Sequence, residues 1–582
     1  MYEYSKYQKA IFDFIQTGIG NAVVNAKAGS GKTTTMVEAA KLISQNENVL
    51  FVAFNKAIEQ ELTERLTGYD NILVKTFHSL GFSILKENIG FCADININEY
   101  KYIGFINKHL HEIAPNSSFL NKNDLKIYKS NIKQLVDFAR YNLAQSPDEI
   151  EKLCDKYGID VISDECEVVP VILDWGKSVV SEIDYTDMVW MCIERDFITR
   201  RLLFDYIFID EAQDSSIMQQ ALIKKCFKRG TRFIAIGDEF QCINAFAGAD
   251  QDAFKKFIQE PNTTQLDLSI SYRCPKKIIQ LAREATGADI EAKDDAIEGE
   301  IRRDVNPYEP QNGDMVLCRN TAHLVKLYMK YNAVNKKSYI KGRSIGEVFK
   351  SYVIETGQPH LSWDMTCDGV FPRLYERLFN MIEREMEQNC LEYEEAIKTH
   401  KIVDMIDSIK ALEVLAEGLT WTEDLLKKID IIFTDNDGEG VCLSTVHKAK
   451  GLESDNVYIL CESLMPSKYA TKKWQIIAEE NLIYVAITRA KKTLNYISEK
   501  SFPANLYGDN GDITKELEYQ RVRMNRALGI KGTPVNVISK TMSEQISDDV
   551  KALMNTHKVG ARTIDEHKRK NVGGNKFGKF LK

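Results

Sequence analysis

None of the twelve cysteines stands in a CxxC pair, and several, among them Cys192, Cys318, Cys442 and Cys461, sit inside apolar runs. That excludes the usual zinc-ribbon and dithiol patterns and makes them reduced core or filler thiols. No apolar run approaches the roughly 18 residues of a membrane span. The N-terminal MYEYSKYQKAIFDF carries charged and polar residues where a secretory leader would be apolar. We therefore expect a cytosolic chain without a membrane partner. Positive charge is also short: 76 Lys and Arg face 84 Asp and Glu, a net charge of −8. The acid excess leaves a nucleic-acid partner open, because only the field inside a channel acts on a bound strand.

What is present suits a multidomain globular protein. At 582 residues the chain has room for roughly four domains of about 150 residues. Hydrophobic residues at 44% and charged residues at 27% are ordinary for such a protein.

The informative stretch is Val23-Val24-Asn25-Ala26-Lys27-Ala28-Gly29-Ser30-Gly31-Lys32-Thr33-Thr34. Ala22–Asn25 reads as a short buried strand and Gly29-Ser30-Gly31 as a sharp turn. From Thr33 to Ser44 a helix is expected, with Met36, Val37, Ala40 and Ile43 on one face. A strand, a tight loop and a helix converge backbone N–H groups and the positive helix end on one point, where a triphosphate settles. Lys32 would reach the β and γ phosphates, and the Thr33 hydroxyl would join the shell of a Mg²⁺. The strict pattern GxxxxGK[ST] would place glycine at Ala26, so the match is imperfect.

Strands alternating with helices, such as Asn48–Phe54 and Ile72–Lys75, predict a parallel α/β sheet whose working loops lie at the carboxyl ends of its strands. Residues 86–180 read as a helical insertion. The sheet resumes at Phe204–Ile209 and runs into Asp210-Glu211-Ala212-Gln213-Asp214. An apolar strand ending in carboxylates suits a metal-linked acid, Asp210, and a water-activating base, Glu211. A further strand ends at Gly237-Asp238, with Gln241 placed to sense a γ-phosphate. A second α/β region begins near Gln265, returns at Val441 after a helix-rich stretch at about 345–430, and closes near Ile497. Taken alone, Gln8 reads as a solvated helix-surface residue and Phe246 as a core residue. The basic end, His567–Lys582, holds six Lys or Arg and no acid. It reads either as a solvated tail or as a contact for nucleic acid or a protein partner through Phe577 and Phe580.

In order along the chain stand Tyr7-Gln8, AGSGKT at 28–33, TFHSL at 76–80, DEAQD at 210–214, GDEFQ with FAGA at 237–249, SYR at 271–273, Thr445-Val446-His447-Lys448-Ala449-Lys450-Gly451-Leu452-Glu453, and YVAITRA at 484–490. With these motifs the chain resembles a superfamily 1 helicase of the UvrD/Rep type over about residues 4–497. Its VAFNKA segment is similar to that of the F-box helicase branch. The resemblance implies two RecA-like P-loop domains, each with a parallel sheet and a helical insertion. The expected division is 1–85 with 181–264 (first RecA-like domain), 86–180 (insertion), 265–344 with 431–502 (second RecA-like domain), 345–430 (insertion) and 503–582 (C-terminal extension).

The resemblance also implies roles. ATP would lie on Ala28, Gly29, Ser30, Gly31, Lys32, Thr33, Thr34 and Gly451, with Gln8 reading adenine, Tyr272 stacking on it, and Glu453 near the ribose. Thr33 and Asp210 would hold Mg²⁺. Lys32, Glu211, Gln241, Arg273 and Arg489 would serve hydrolysis, the two arginines reaching the γ-phosphate from the second domain. Thr76, His78, Phe246 and His447 would touch the strand. The implied activity is ATP-driven translocation on single-stranded DNA, 3′ to 5′, with unwinding of duplex junctions in replication, recombination or repair. The implied state is a monomer or weak oligomer in the cytoplasm or on the nucleoid, including that of a phage- or virus-infected host. Asn244 and Ala247 stand where the family usually has tyrosine and often arginine, and Lys27 where a glycine is frequent. ATP hydrolysis is expected to survive these changes and base grip to weaken. A single-strand-dependent ATPase that strips proteins from DNA is the rival reading.

Overall fold

The structure, a computed structural model, describes residues 3–527 apart from 91–93, 121, 160, 245–247, 251, 365–366, 390, 436–437 and 505–512. The first sheet starts with β1 (Asn21–Ala26), β2 (Val49–Ala53) and β3 (Ile72–Thr76), interleaved with α1 (Lys6–Thr17), α2 (Lys32–Lys41) and α3 (Lys56–Arg65). All five residues of β2 are buried, as expected of a parallel strand covered on both faces. Val24, Phe51 and Ala53 face a core shared with α1 and α2, while Val23, Leu50 and Val52 face the opposite core.

That opposite core continues into the helices that follow. Thr76 caps α4 (Phe77–Ile89) with its side chain. A two-residue strand, β4 (Asn96–Ile97), precedes α5 (Lys101–Ile113), α6 (Lys122–Asn142), α7 (Pro147–Tyr157) and α8 (Glu165–Ser178), and pairs in parallel with β5 (Glu182–Ile183). The chain then runs through α9 (Asp187–Glu194), which lies against α4 so closely that a Cβ on Gly81 would meet the Met188 carbonyl at 2.3 Å.

The sheet is completed by β6 (Phe204–Ile209), β7 (Phe227–Gly237) and β8 (Thr263–Leu268), in the order β3-β2-β6-β7-β1-β8 with every pairing parallel. Asn25 lies beside Gly237, and Ile209 beside Val52. The phosphate-loop segment, Asp210-Glu211 and Asp238 are thus delivered to one carboxyl edge.

The short strands β9 (Ile270–Ser271) and β10 (Glu291–Ala292) pair in parallel ahead of the second sheet. That sheet comprises β11 (Glu300–Val305), β12 (Met315–Cys318), β13 (Ser338–Lys341), β14 (Phe433–Thr434), β15 (Val441–Thr445), β16 (Ser454–Ile459) and β17 (Ala490–Ile497). Its order is β11-β17-β16-β12-β15-β13-β14, again with parallel pairings. The fold class is therefore the expected one: α/β, with two parallel RecA-like sheets. Both sheets and the helices between β3 and β6 belong to one compact unit, Met1–Gly346 with Asp430–Ala504. A second unit runs over Glu347–Ile429 and from Asn505 on. It is helical where described, and within it the helices Val370–Asn389 and Ile513–Ala527 are joined by an Arg521–Glu383 ion pair. Among the described residues no helix is long and apolar enough to cross a membrane.

Candidate nucleotide site and strand-contact residues

The loop between β1 and α2 is shaped by two glycines in the left-handed region, Gly29 at φ 70° and Gly31 at φ 78°. Gly31 starts α2 without a side-chain cap, a helix end suited to an anion. Gly29 has a second reason to be glycine: a Cβ there would lie 2.5 Å from the Arg273 Cβ and 2.8 Å from the Ser271 Oγ. Ala26 is the last residue of β1 and fully buried. Lys27, also buried, donates to Asn25 Oδ1 at 3.0 Å and lies over the Phe240 ring. Ser30 is buried, and its hydroxyl has no hydrogen-bond partner.

Along the first turn of α2, Thr33 is partly exposed and Thr34 Oγ1 accepts from Arg65 at 2.9 Å. Thr35 Oγ1 donates to the Gly31 carbonyl at 2.9 Å and accepts from the Gln8 amide at 3.0 Å. Gln8 is fully buried, so the solvated-surface reading of it fails. Its Oε1 accepts from the Ser5 N–H at 3.0 Å and from the Tyr272 hydroxyl at 3.3 Å.

Lys32 Nζ sits 2.7 Å from Glu211 Oε1. Burial opposes its charge, yet Glu211, Asp210 and Asp238 together hold its pKa above the ordinary lysine value. Asp210 is pushed up to about 7, by burial first and by the neighbouring Glu211 charge second. Glu211 goes the other way: burial alone would raise it, but Lys32 and Lys450 bring it down to about 2. Glu211 is held in the left-handed region at φ 48°, and its second oxygen accepts from the Gln213 amide. Gln213 Oε1 in turn accepts from the Asp238 N–H at 3.1 Å, and Gln241 Nε2 donates to Asp238 Oδ2 at 2.8 Å. A Cβ on Gly237 would stand 2.1 Å from Gln213 Oε1, so this network needs glycine there.

The second sheet region closes on this network. The Tyr272 N–H donates to the Gly29 carbonyl at 2.8 Å, and the Ala28 N–H donates to the Tyr484 hydroxyl at 3.0 Å. Lys450, just before Gly451 at φ 86°, ion-pairs with Asp214 and donates to the Gln241 carbonyl at 2.7 Å. Asn481 donates to the carbonyls of Glu239 and Cys242. Arg273 Nε reaches Glu453 Oε2 at 2.6 Å. Arg489 is 1% exposed, and its hydrogen bonds go to neutral oxygens: the Val485 carbonyl at 2.9 Å, the Leu452 carbonyl at 3.2 Å and the Thr488 hydroxyl at 3.1 Å. Burial, then the nearby Arg273 charge, push its pKa down to about 10.

The strand-contact candidates are more dispersed. Thr76 closes β3 and is engaged in a capping box with Ser79. His78 is exposed, its ring edge-on to Tyr185 at 6.3 Å. His447 is half-buried in the turn after β15 of the other sheet. Phe246, Ala247 and the basic stretch from His567 lie outside the described residues. Sequence reasoning assigned no role to Asp214, Lys450, Tyr484 or Asn481. Lys450 and Tyr484 stand inside the quoted motifs, and Asp214 closes DEAQD, so the signal was there; Asn481 carried none.

Two parallel sheets that meet over one phosphate loop, with carboxylates on one side and arginines on the other, define a two-lobed P-loop NTPase. The UvrD/REP helicase N-terminal domain model matches residues 7–262, and the UvrD-like helicase C-terminal domain model matches residues 440–497. The chain is 24% identical to the ATP-dependent DNA helicase PcrA of Bacillus subtilis, over 84% of this chain and 82% of that one. Against the PcrA of Staphylococcus aureus it is 23% identical, over 82% and 81%. Against F-box DNA helicase protein 1 of Schizosaccharomyces pombe it is 22% identical, over 81% of this chain and 55% of that one. Together the two models match more than half of the chain, which belongs to the UvrD/REP helicase family.

Proposed function

We propose that the protein is an ATP-dependent DNA helicase that moves 3′ to 5′ along single-stranded DNA and opens duplex junctions. The observation that carries this is Arg489, a buried cation whose hydrogen bonds all end on neutral oxygens, in the lobe opposite Lys32. A buried charge needs a counter-charge, and the γ-phosphate of a bound nucleotide supplies one. The orphaned Ser30 hydroxyl and the open end of α2 fit the same triphosphate. Asp210, buried at the end of β6 beside the Glu211 carboxylate, supplies with the Thr33 hydroxyl the oxygen donors that would hold a divalent cation, whose charge would offset that crowding. When bound, Mg²⁺ would draw charge from the β and γ oxygens.

In this reading the Lys32–Glu211 pair is the resting arrangement. With nucleotide present Lys32 turns to the phosphates, and Glu211, ionised at neutral pH, is released to take a proton from the attacking water. Gln241 senses the γ-phosphate through its place beside Asp238, and Gln8 with Tyr272 holds the base. Arg273 and Arg489 stabilise charge on the transferred group, so nucleotide draws the lobes together and hydrolysis lets them part. A strand on Thr76, His78 and Phe246 of one lobe and His447 of the other is then gripped in alternation. Stacking of about 1–3 kcal/mol per base suits such a sequence-blind grip, and opening a DNA step costs about 1.4 kcal/mol on average. We assign 1–85 with 181–264 and 265–344 with 431–502 to the two motor domains, 86–180 and 345–430 to their insertions, and 503–582 to an extension.

A strand-displacement assay with ATP and Mg²⁺, on duplexes bearing a 3′ or a 5′ overhang, tests the reading. Unwinding only from the 3′ overhang is expected. Lys32→Ala should abolish hydrolysis, and Glu211→Gln should bind ATP without turning it over. Strand-stimulated hydrolysis without displacement would instead favour an ATPase that strips proteins from DNA, the outcome to which Asn244 points.

A further inference from the structure

The helices between β3 and β6 also touch the second sheet region, through residues other than those that close on the phosphate loop. Lys472, at the end of the segment joining β16 to the Lys473–Ile487 helix, donates from Nζ to the Asp155 carbonyl at 2.5 Å, and Trp474, in the first turn of that helix, donates from Nε1 to the Lys156 carbonyl at 2.8 Å. Both carbonyls belong to the last turn of α7, where unpaired C=O groups and the negative helix end favour a cationic or N–H cap. Gly158 caps α7 in the left-handed region, and a Cβ there would stand 3.1 Å from Lys472 Nζ. The Trp474 ring meets Tyr157 edge to face at 6.5 Å, and Tyr157 is stacked on the buried Phe138 at 3.9 Å.

Neither side is loose. α7 is anchored by Ile150, Leu153 and Cys154 in the core. The joining segment is tied to its own lobe, the Ser467 N–H donating to Glu479 at 2.9 Å and Glu479 pairing with Arg319 at 2.7 Å. The Thr471 and Lys472 N–H groups donate to Gln475 Oε1.

Topology gives the contact its meaning. The helical insertion leaves the first sheet at the carboxyl end of β3, and the Lys472 segment leaves the second at the carboxyl end of β16. Both thus start from carboxyl edges of their sheets, the ends at which Thr76 and His447 stand. We infer that Lys472 and Trp474 form a latch that closes the α5–α8 insertion over these edges, so that a bound single strand lies under a closed arch and leaves sideways only when the latch opens. Its two hydrogen bonds are polar ties to helix-end carbonyls, which suits repeated opening as the lobes part. This inference rests on the single-strand reading above, and its test does not depend on unwinding.

The test compares release of a short linear and a circular oligothymidine from the full chain, held with a non-hydrolysable ATP analogue and chased with excess unlabelled strand. A linear strand can also slide off its ends, whereas a circle escapes only through an open arch. The circle should dissociate about tenfold more slowly from the unaltered protein. The double variant Lys472→Met, Trp474→Phe should release it at the linear rate, with strand-stimulated ATP turnover at saturation unchanged. Lys472→Arg, which keeps a cationic donor, should stay near the unaltered protein. Equal release of circle and line from the unaltered chain, or a difference that survives the double variant, would overturn the latch. Failure of the unaltered chain to bind either strand would remove the helicase reading itself.

Discussion

Two arginines in this molecule are withdrawn from water to the same degree and solve the problem in opposite ways. Arg140, in α6, is fully buried and donates to Asp184, Asp187 and Asp137, with its guanidinium over the Tyr102 ring. Burial works against its charge, yet Tyr102 and the three carboxylates hold its pKa well above the ordinary value. Lys101 completes the cluster, donating to Asp187 at 2.7 Å and to the carbonyls of Gly176 and Val179. Arg489 is as deeply buried and has carbonyls and a hydroxyl in place of carboxylates. A charge that serves the fold brings its own counter-charge. On the function proposed above, Arg489 leaves that place to a ligand.

The comparison breaks most visibly if the two sites respond alike to the same change. Arg140→Met removes the guanidinium that joins Asp184 and Asp187, and breaking such a buried set costs about 3–5 kcal/mol. A denaturant midpoint should show that loss, while ATP turnover per folded molecule stays unchanged. Arg489→Met should do the reverse. Stability should hold or rise, ATP affinity should change little, and kcat should fall about 10³-fold, the scale of an arginine finger and ~4 kcal/mol of barrier. Equal destabilisation by both substitutions would show that Arg489 is structural.

The two sites were also unequally legible in the sequence. Lys32, Asp210 and Glu211 could be read because the chemistry sits in short runs: a glycine turn between strand and helix, and carboxylates closing an apolar strand. The parallel sheets were legible from alternating strand and helix patterns. β4 and β5 were not, since two-residue strands carry no alternation. The Arg140 cluster joins α5, α6, the segment before α9 and the first residue of α9, and nothing in any one of them marks the others. Lys450 to Asp214, Tyr484 to Ala28 and Lys472 to Asp155 likewise unite residues more than two hundred positions apart, through packing that no local pattern encodes.

A third solution to burial is to give up the charge, and His323 sharpens the contrast by taking it. Its ring is 3% exposed, its Nε2 lies 2.6 Å from the Ala504 carbonyl, and burial pushes its pKa down to about 4 from 6.5. The folded protein therefore holds this ring neutral where the unfolded chain protonates it. Its contribution is complete above pH 6.5 and is lost as the pH falls from there toward 4. At 1.36 kcal/mol per pKa unit the loss is ~3 kcal/mol. His323→Gln should flatten the stability profile between those limits by that amount relative to the unaltered chain. Parallel profiles would mean that the ring titrates normally.

The smallest effect separates the two arginines within the cleft. Arg273 does have a carboxylate, Glu453, the residue that the resemblance placed near the ribose. Glu453 is 43% exposed, so Glu453→Gln should cost the nucleotide-free protein no more than ~1 kcal/mol. The cost arises because Arg273 then faces Arg489 with less compensation, and a bound triphosphate supplies the missing negative charge to both. The rise in melting temperature on adding a non-hydrolysable ATP analogue should therefore be larger for the variant than for the unaltered chain. A smaller rise would mean that Glu453 acts on the nucleotide itself, and an equal one that the two guanidiniums do not share an anion. The second result would leave Arg489 as a buried charge without a purpose in the cleft, and the contrast with Arg140 would lose its functional meaning.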